Sequence, residues 1–185
     1  YRSDGSSSDP GKVKYVFDQG ALTIDYRTGA DLNSLDGEPR ALSLTVYHLS
    51  DRTAIERFAN SENGMVRLLD GERLDTSAIQ VEHFFLQPGE ANRLTLDRPE
   101  GGRYVALIAG YNQAEKAKCL FVAEYGRGRW KKAGETMIAN KTWMHAPLPL
   151  NLEVSLEDDR MRARDTGRIY GDMKGVTNVV WQRAQ

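Results

Sequence analysis

The sequence predicts a mainly β protein, a two-sheet β-sandwich of seven to eight strands with a short helical insert. Three observations carry the prediction. Short runs of period-two alternation recur along the chain, separated by turn residues about every 8–12 positions. One run, RYVALIAGYN, is apolar almost throughout and reads as a central strand buried on both faces. Only one stretch, residues 50–75, carries apolar residues at helical spacing.

Residues 1–11 are rich in Ser, Gly and Asp and predict a flexible tether. A sandwich domain is expected over 12–170 and a loosely ordered tail over 171–185. In KVKYVFD, the alternation of Val13, Tyr15 and Phe17 predicts a brief first strand, closed by a turn from Asp18 to Gly20. The next strand sets Leu22, Ile24 and Tyr26 on one face and Thr23, Asp25 and Arg27 on the other. Its successor sets Leu42, Leu44 and Val46 against Ser43 and Thr45. The connection between them is too long for a tight hairpin. It places Leu32 and Leu35 among Asp31, Asn33, Asp36 and Glu38, so those leucines either fold back onto the sandwich or wait for a partner.

Ser50 or Asp51 caps the helical insert, and Thr53 to Glu56 has capping-box spacing. Ile55 and Phe58, then Met65, Leu68 and Leu69, repeat the helical face. Residues 60–64 interrupt it, which predicts two short helices over one end of a sheet. Ile79 and Val81 alternate, whereas Phe84 and Leu86 continue in the opposite phase, so a bulge is expected near His83. Gln87-Pro88-Gly89-Glu90 is a turn, Leu94 and Leu96 mark a short strand, and Glu100-Gly101-Gly102 is another turn. After the central run, residues 113–118 are a polar connection and CLFVAEY is a strand. GRGRWKKAGET reads as a basic, Gly-rich connection, and MIANKTWMHAPLP fits neither period. Leu148, Leu150, Leu152, Val154 and Leu156 then alternate without fault until Glu157-Asp158-Asp159. A partial edge strand is expected beyond them.

Composition narrows the function classes. A chain of 185 residues, 40% hydrophobic and 28% charged, is one globular domain with appendages. Its net charge of −1 gives no electrostatic reason for a polyanion partner, so no nucleic acid is expected. No window approaches the roughly 18 apolar residues of a membrane span. A polar start such as YRSDGSSSDPGK is what a removed leader leaves behind. The single Cys119 lies in an apolar run and reads as a buried small hydrophobe.

The sequence carries no catalytic constellation. His48, His83 and His145 are scattered with no ligand spacing around them, so no metal site is expected. There is no G-x-S-x-G elbow, and GRGRW lacks the spacing and context of a dinucleotide loop. Arg127, Arg129, Lys131 and Lys132, interleaved with Tyr125 and Trp130, could hold single-stranded nucleic acid. The commoner reading is a solvated loop, or one facing anionic membrane headgroups. The 157–159 acids lack the spacing of a calcium loop and read as a turn. What remains is a binding or scaffolding sandwich with no catalytic role and no cofactor, its most suspicious surface being the loop that ends at Arg40.

That loop and its flanks carry a resemblance. Ala30-Asp31-Leu32-Asn33, Gly37, Pro39, Leu42-Ser43-Leu44-Thr45-Val46-Tyr47, Leu49, Asp51 and Phe58 resemble the signature of the type VI secretion outer-membrane lipoproteins, the TssJ (VasD/SciN) family. Leu86-Gln87-Pro88-Gly89-Glu90 looks like the family's L-x-P-G-E turn, and residues 104–111 are similar to its aromatic-rich strand. The resemblance implies a transthyretin-like sandwich held at the periplasmic face of the outer membrane by an acylated cysteine. That cysteine would lie upstream of Tyr1; Cys119 is not it. It implies further that the protein docks the periplasmic domain of the inner-membrane protein TssM through the loop between the first two sandwich strands. By position, that loop is Ala30, Asp31, Leu32, Asn33, Ser34, Leu35, Asp36, Gly37, Glu38 and Arg40, with Leu32 and Leu35 as apolar anchors among steering carboxylates. The alternative is a soluble periplasmic sandwich that binds a sugar, calcium or a lipid headgroup.

Overall fold

Strands with one apolar face need a second layer to hide it, and eight strands here form two four-stranded sheets packed face to face. The computed structural model describes residues 4–132, 142–167 and 182–183. Strands β1 (Asp18–Thr28), β2 (Leu42–Leu49), β3 (Ala78–Leu86), β4 (Ala91–Arg98), β5 (Tyr104–Ala109) and β6 (Leu120–Glu124) follow one another. Helices α1 (Thr53–Ala59) and α2 (Gly64–Leu69) sit between β2 and β3, and α3 (Lys116–Cys119) precedes β6. The chain continues through β7 (Arg127–Lys132), β8 (Thr142–Pro147), β9 (Leu150–Leu156), β10 (Met161–Asp165) and β11 (Gln182–Arg183).

One sheet runs β10-β9-β1-β4 and the other β3-β2-β5-β6. All their ladders are antiparallel except β1 with β9, which run parallel from Leu22↔Leu150 to Thr28↔Leu156. The core is the alternating set of both sheets. Leu22, Ile24, Leu42, Leu44, Leu49 and Leu156 are fully buried. The expected central strand is β5, flanked by β2 and β6, and every residue from Val105 to Ala109 is buried. Helices α1 and α2 cover the outer face of β2. Tyr47 donates its hydroxyl to the carbonyls of Leu68 (3.1 Å) and Glu72 (2.8 Å), and Thr45 donates to that of Leu69 (3.1 Å).

Several local expectations give way to longer-range contacts. No strand forms over residues 13–17, and the stretch 18–20 expected to turn is the first part of β1. Here Arg98 at the end of the adjacent strand β4 and Glu100 in the turn after it hold the backbone. Arg98 Nε donates to Val16 O (2.9 Å), and Glu100 accepts from Phe17 N–H (2.9 Å). The bulge is not at His83, because β3 pairs with β2 without a break from Leu86↔Leu42 to Gln80↔His48. The shift falls at His48/Leu49. The N-cap is Arg52, not Ser50 or Asp51, and has no side-chain cap bond; Asp51 just before it accepts from Thr53 N–H (2.6 Å), and Glu56 turns to Arg52 (3.0 Å) and does not close a capping box. The basic connection is strand β7. With β8 and β11 it forms a third, three-stranded sheet, and Tyr125 before it is fully buried. The edge strand expected after the acidic turn is β10. The C-terminal tail lies outside the described residues, except 182–183, which pair with β7.

The segment read as a tether lies along the body from Gly5 onward. Lys14 N–H donates to Gly5 O (3.0 Å), Ser7 exchanges two hydrogen bonds with His145 of β8 (2.9 and 2.8 Å), and Arg127 Nη1 donates to Pro10 O (2.7 Å). Gly5 is required for this path. Its φ is +77°, and a Cβ there would stand 2.1 Å from Lys14 O.

Strand directions sort the connections into two poles. The β1–β2 loop, the 87–90 turn, the β5–β6 connection and the 157–160 turn lie at one end. The N-terminal strap, the 99–103 turn and the start of β7 lie at the other. The eleven residues of β1, at ~3.3 Å each, separate the poles by about 35 Å.

Candidate functional site

The loop between β1 and β2 is built from short-range hydrogen bonds. Leu32 N–H donates to Gly29 O (3.2 Å), and Arg40 N–H donates to Leu32 O (2.9 Å), which pins the two sides of the loop together. Asn33, in the left-handed region at φ +48°, donates its amide to Ala41 O (3.1 Å). At the tip, Leu35 and Glu38 exchange two 3.0 Å backbone bonds around Asp36 and Gly37. Both central residues have positive φ (+53° and +79°), as a type I′ turn requires. A tight hairpin therefore exists inside the connection, and the Asp36-Gly37 dipeptide is the sequence signal for it.

This scaffold divides the expected residues. Leu32 is fully buried in the hydrophobic core, and Asn33 is buried beside it. The expectation that Leu32 anchors a partner does not hold. It plugs the end of the sandwich, where burying its side chain is worth roughly 1.5–3 kcal/mol. Leu35 is 40% exposed at the tip hairpin. Ala30, Asp31, Asp36, Gly37, Glu38 and Arg40 are exposed, and Ser34 is half-buried.

Neighbouring connections brace the loop. Gly29 N–H donates to Leu156 O (2.9 Å), Gly89 N–H to Gly29 O (3.1 Å), and Ser34 N–H to the Asp158 carboxylate (3.2 Å). Tyr111, buried after β5, donates its hydroxyl to Glu157 O (2.9 Å) and Arg160 O (2.7 Å), and burial raises its hydroxyl pKa well above the usual tyrosine value. Asp159 pairs with Arg160 (3.2 Å) and Lys118 (3.4 Å), which hold its carboxyl below the usual range; Glu157 pairs with Arg162 (3.1 Å). The expected acidic turn thus clamps the loop. A notch of about 270 Å³ remains beside Leu35, walled by Tyr111, Asn112, Gln113, Lys118 and Asp158. The Tyr111 clamp was not legible in the sequence, where this residue merely ends an apolar run. Tyr111→Phe is expected to cost about 1 kcal/mol in urea unfolding, because the part-buried Glu157 carbonyl loses this donor whereas Arg160 O keeps its bond from Glu157 N–H.

The remaining candidates lie elsewhere and do not converge. His48 is in the core with Nε2 2.9 Å from the Tyr125 hydroxyl. His83 is exposed on β3 against Thr45 (3.2 Å), and His145 is on β8. Among the described residues, no three His, Cys, Asp or Glu side chains could share a metal ion. Cys119 is fully buried, and burial raises its thiol pKa. A shallow hollow of about 620 Å³ lies on the outer face of the first sheet. Cross-strand pairs of Arg93 with Asp25 and Arg164 with Glu153 take up much of its charge.

Comparison with known proteins places this architecture. No curated protein sequence matches the chain. Among solved structures, the T6SS lipoprotein TssJ1 from Pseudomonas aeruginosa is 19% identical, with a TM-score of 0.53 over 83% of this chain and 98% of that one. Lip from Serratia marcescens, described as a membrane-bound component of the type VI secretion system, is 13% identical. Its TM-score is 0.54 over 78% and 97% of the two chains. A chain from a structure described as the T6SS protein TssM C-terminal domain from EAEC is 14% identical, with a TM-score of 0.53 over 77% and 96%. At such identities the likeness is one of fold: a β-sandwich. The family model described as Type VI secretion lipoprotein, VasD, EvfM, TssJ matches residues 20–143. That span takes in both strands that flank the loop and two-thirds of the chain. The protein therefore belongs to the type VI secretion lipoprotein family, whose members are structural components of a secretion machine and not enzymes.

Proposed function

We propose that this protein is a periplasmic lipoprotein, anchored in the outer membrane by an acylated cysteine upstream of Tyr1, that docks the periplasmic domain of TssM through the β1–β2 loop. The observation that carries the reading is a preorganised, projecting hairpin with an exposed leucine at its tip. A loop already fixed by its own hydrogen bonds loses little entropy on binding. Leu35 is the kind of apolar anchor that dominates small interfaces, and the adjoining notch can receive a partner side chain. Asp31, Asp36 and Glu38 surround the leucine with negative charge. They favour a basic partner surface and an association rate that falls with salt. Calcium or sugar binding at the 157–159 acids has no comparable support, since all three acids already hold groups of this chain.

The test is Leu35→Asp. The variant is expected to keep its thermal midpoint within about 2 °C, because the side chain is already exposed. It should weaken capture of the TssM periplasmic domain by more than tenfold, about 1.4 kcal/mol or greater. Undiminished capture by the folded variant overturns the loop assignment. A second measurement concerns the turn. Gly37→Val places a β-branched residue at φ +79°, and is expected to cost about 1–2 kcal/mol of stability and to weaken TssM capture through a displaced Leu35.

A further inference from the structure

We infer that the face formed by the N-terminal strap and β7 is a membrane-apposed surface that binds anionic phospholipid headgroups. The inference rests on the membrane-anchored reading above for its biological setting, and on the following placement for its chemistry. The strap brings Lys12 and Lys14, both exposed, beside β7, whose sequence RGRWKK has four basic residues among six. Arg127 joins the two by donating to Pro10 O (2.7 Å), which sets its guanidinium beside the strap that carries Lys12 and Lys14. Arg129 lies 4.7 Å over the Trp143 ring, and Phe17 is 43% exposed on the same pole.

Basic side chains interleaved with aromatic rings are the composition of an interfacial membrane contact. The cations meet phosphates, and the rings settle at headgroup depth. The acids of this pole are partly exposed but engaged within the chain: Asp4 accepts from Ser6 N–H (2.9 Å), Asp97 from Gly20 N–H (2.7 Å), and Asp18 lies 3.9 Å from Arg98. Asp9 accepts from Gly11 N–H (2.9 Å) and lies 4.0 Å from Lys12, Glu100 accepts from Phe17 N–H, and Glu124 pairs with Arg103 (2.8 Å). The Lys14 ammonium has no ion pair among the described residues. Seated this way, the sandwich holds its docking loop about 35 Å from the headgroups and directed away from them.

The test uses residues 1–185 without a lipid, mixed with vesicles of phosphatidylglycerol and phosphatidylethanolamine or of phosphatidylcholine alone. Cosedimentation with the anionic vesicles only, lost in 0.5 M salt at a Debye length of about 4 Å, is the expected result. Lys12→Glu with Lys14→Glu should lower that partition by more than about 20-fold at an unchanged thermal midpoint, since each basic residue near such a surface contributes about fivefold. Equal binding to both vesicles, binding to neither, or full binding by the double variant overturns the inference. Tighter binding to a single-stranded oligonucleotide than to the vesicles overturns it in favour of nucleic acid. TssM takes no part in the readout, so a chain that binds vesicles yet fails to capture TssM refutes the docking reading alone.

Discussion

Leu32→Asp is expected to leave little folded protein at physiological temperature. The native leucine is fully buried at the end of the sandwich. Its loss opens a cavity of the kind that costs about 2–5 kcal/mol on truncation to alanine. The incoming carboxylate adds the penalty of an unpaired buried charge, which it escapes only by taking up a proton or by dragging the loop open. Domains of this size have about 5–15 kcal/mol in total, so the sum removes a large share of it. Circular dichroism melts should show a broad transition shifted down by more than about 10 °C. Leu35→Asp, three residues away, should melt with the wild type. A well-folded Leu32→Asp protein would mean that this side chain is not part of the core. The pair of variants also separates two readings of any lost interaction: a binding defect seen with Leu32→Asp reports unfolding, and only the Leu35 variant reports on docking.

That contrast marks where the sequence stops being legible. Leu32 and Leu35 are the same residue in the same polar context, and no periodicity distinguishes them. The difference arises because Arg40 N–H closes on Leu32 O, turning the first leucine inward, while the Asp36-Gly37 hairpin carries the second outward. The two-sheet plan was legible because alternation in β2 and β9 and the apolar run of β5 follow from burial within single strands. Strand partners were not. The parallel pairing of β1 with β9 joins Leu22 to Leu150 across more than a hundred residues, and nothing local specifies it. Strands β7 and β8 escaped for a different reason. In β7 Gly, Arg and Lys have weak intrinsic strand preference, and pairing with β8 overrides it; β8, TWMHAP, shows no apolar–polar alternation and ends on Pro. Arg98 drew no reading from the sequence, where nothing sets it apart from other charged residues, yet it is 2% exposed, 6.0 Å from the Tyr15 ring centroid and 5.2 Å from that of Tyr125. The main family signature, from Ala30 to Phe58, was readable without any of these contacts, because it lies in one continuous segment.

The same buried cluster gives the protein an acid-sensitive core. His48 is fully buried on β2, its Nε2 2.9 Å from the Tyr125 hydroxyl and its Nδ1 without a hydrogen-bond partner. Burial, and then the nearby Arg98 guanidinium, push its pKa down from the usual 6.5 to about 4. In the unfolded chain the imidazole binds a proton near pH 6.5, and in the folded protein it does so only near pH 4. Between these values the unfolded state holds more protons, so stability falls as the pH is lowered through that window. The contribution is fully present above pH 6.5 and is exhausted below pH 4. It amounts to ~3 kcal/mol, from 1.36 kcal/mol per unit over the interval. Urea unfolding at a series of pH values from 7 to 4 should therefore show a steeper decline for the wild type than for His48→Gln. Glutamine is neutral throughout and can keep a hydrogen bond to Tyr125. The depressed carboxyls of Asp51, Glu72, Asp75 and Asp159 titrate in both proteins and cancel in the difference. Parallel profiles would mean that His48 takes up its proton as easily in the folded core as in the unfolded chain, and would overturn the assignment of the acid sensitivity to this buried imidazole beside Arg98.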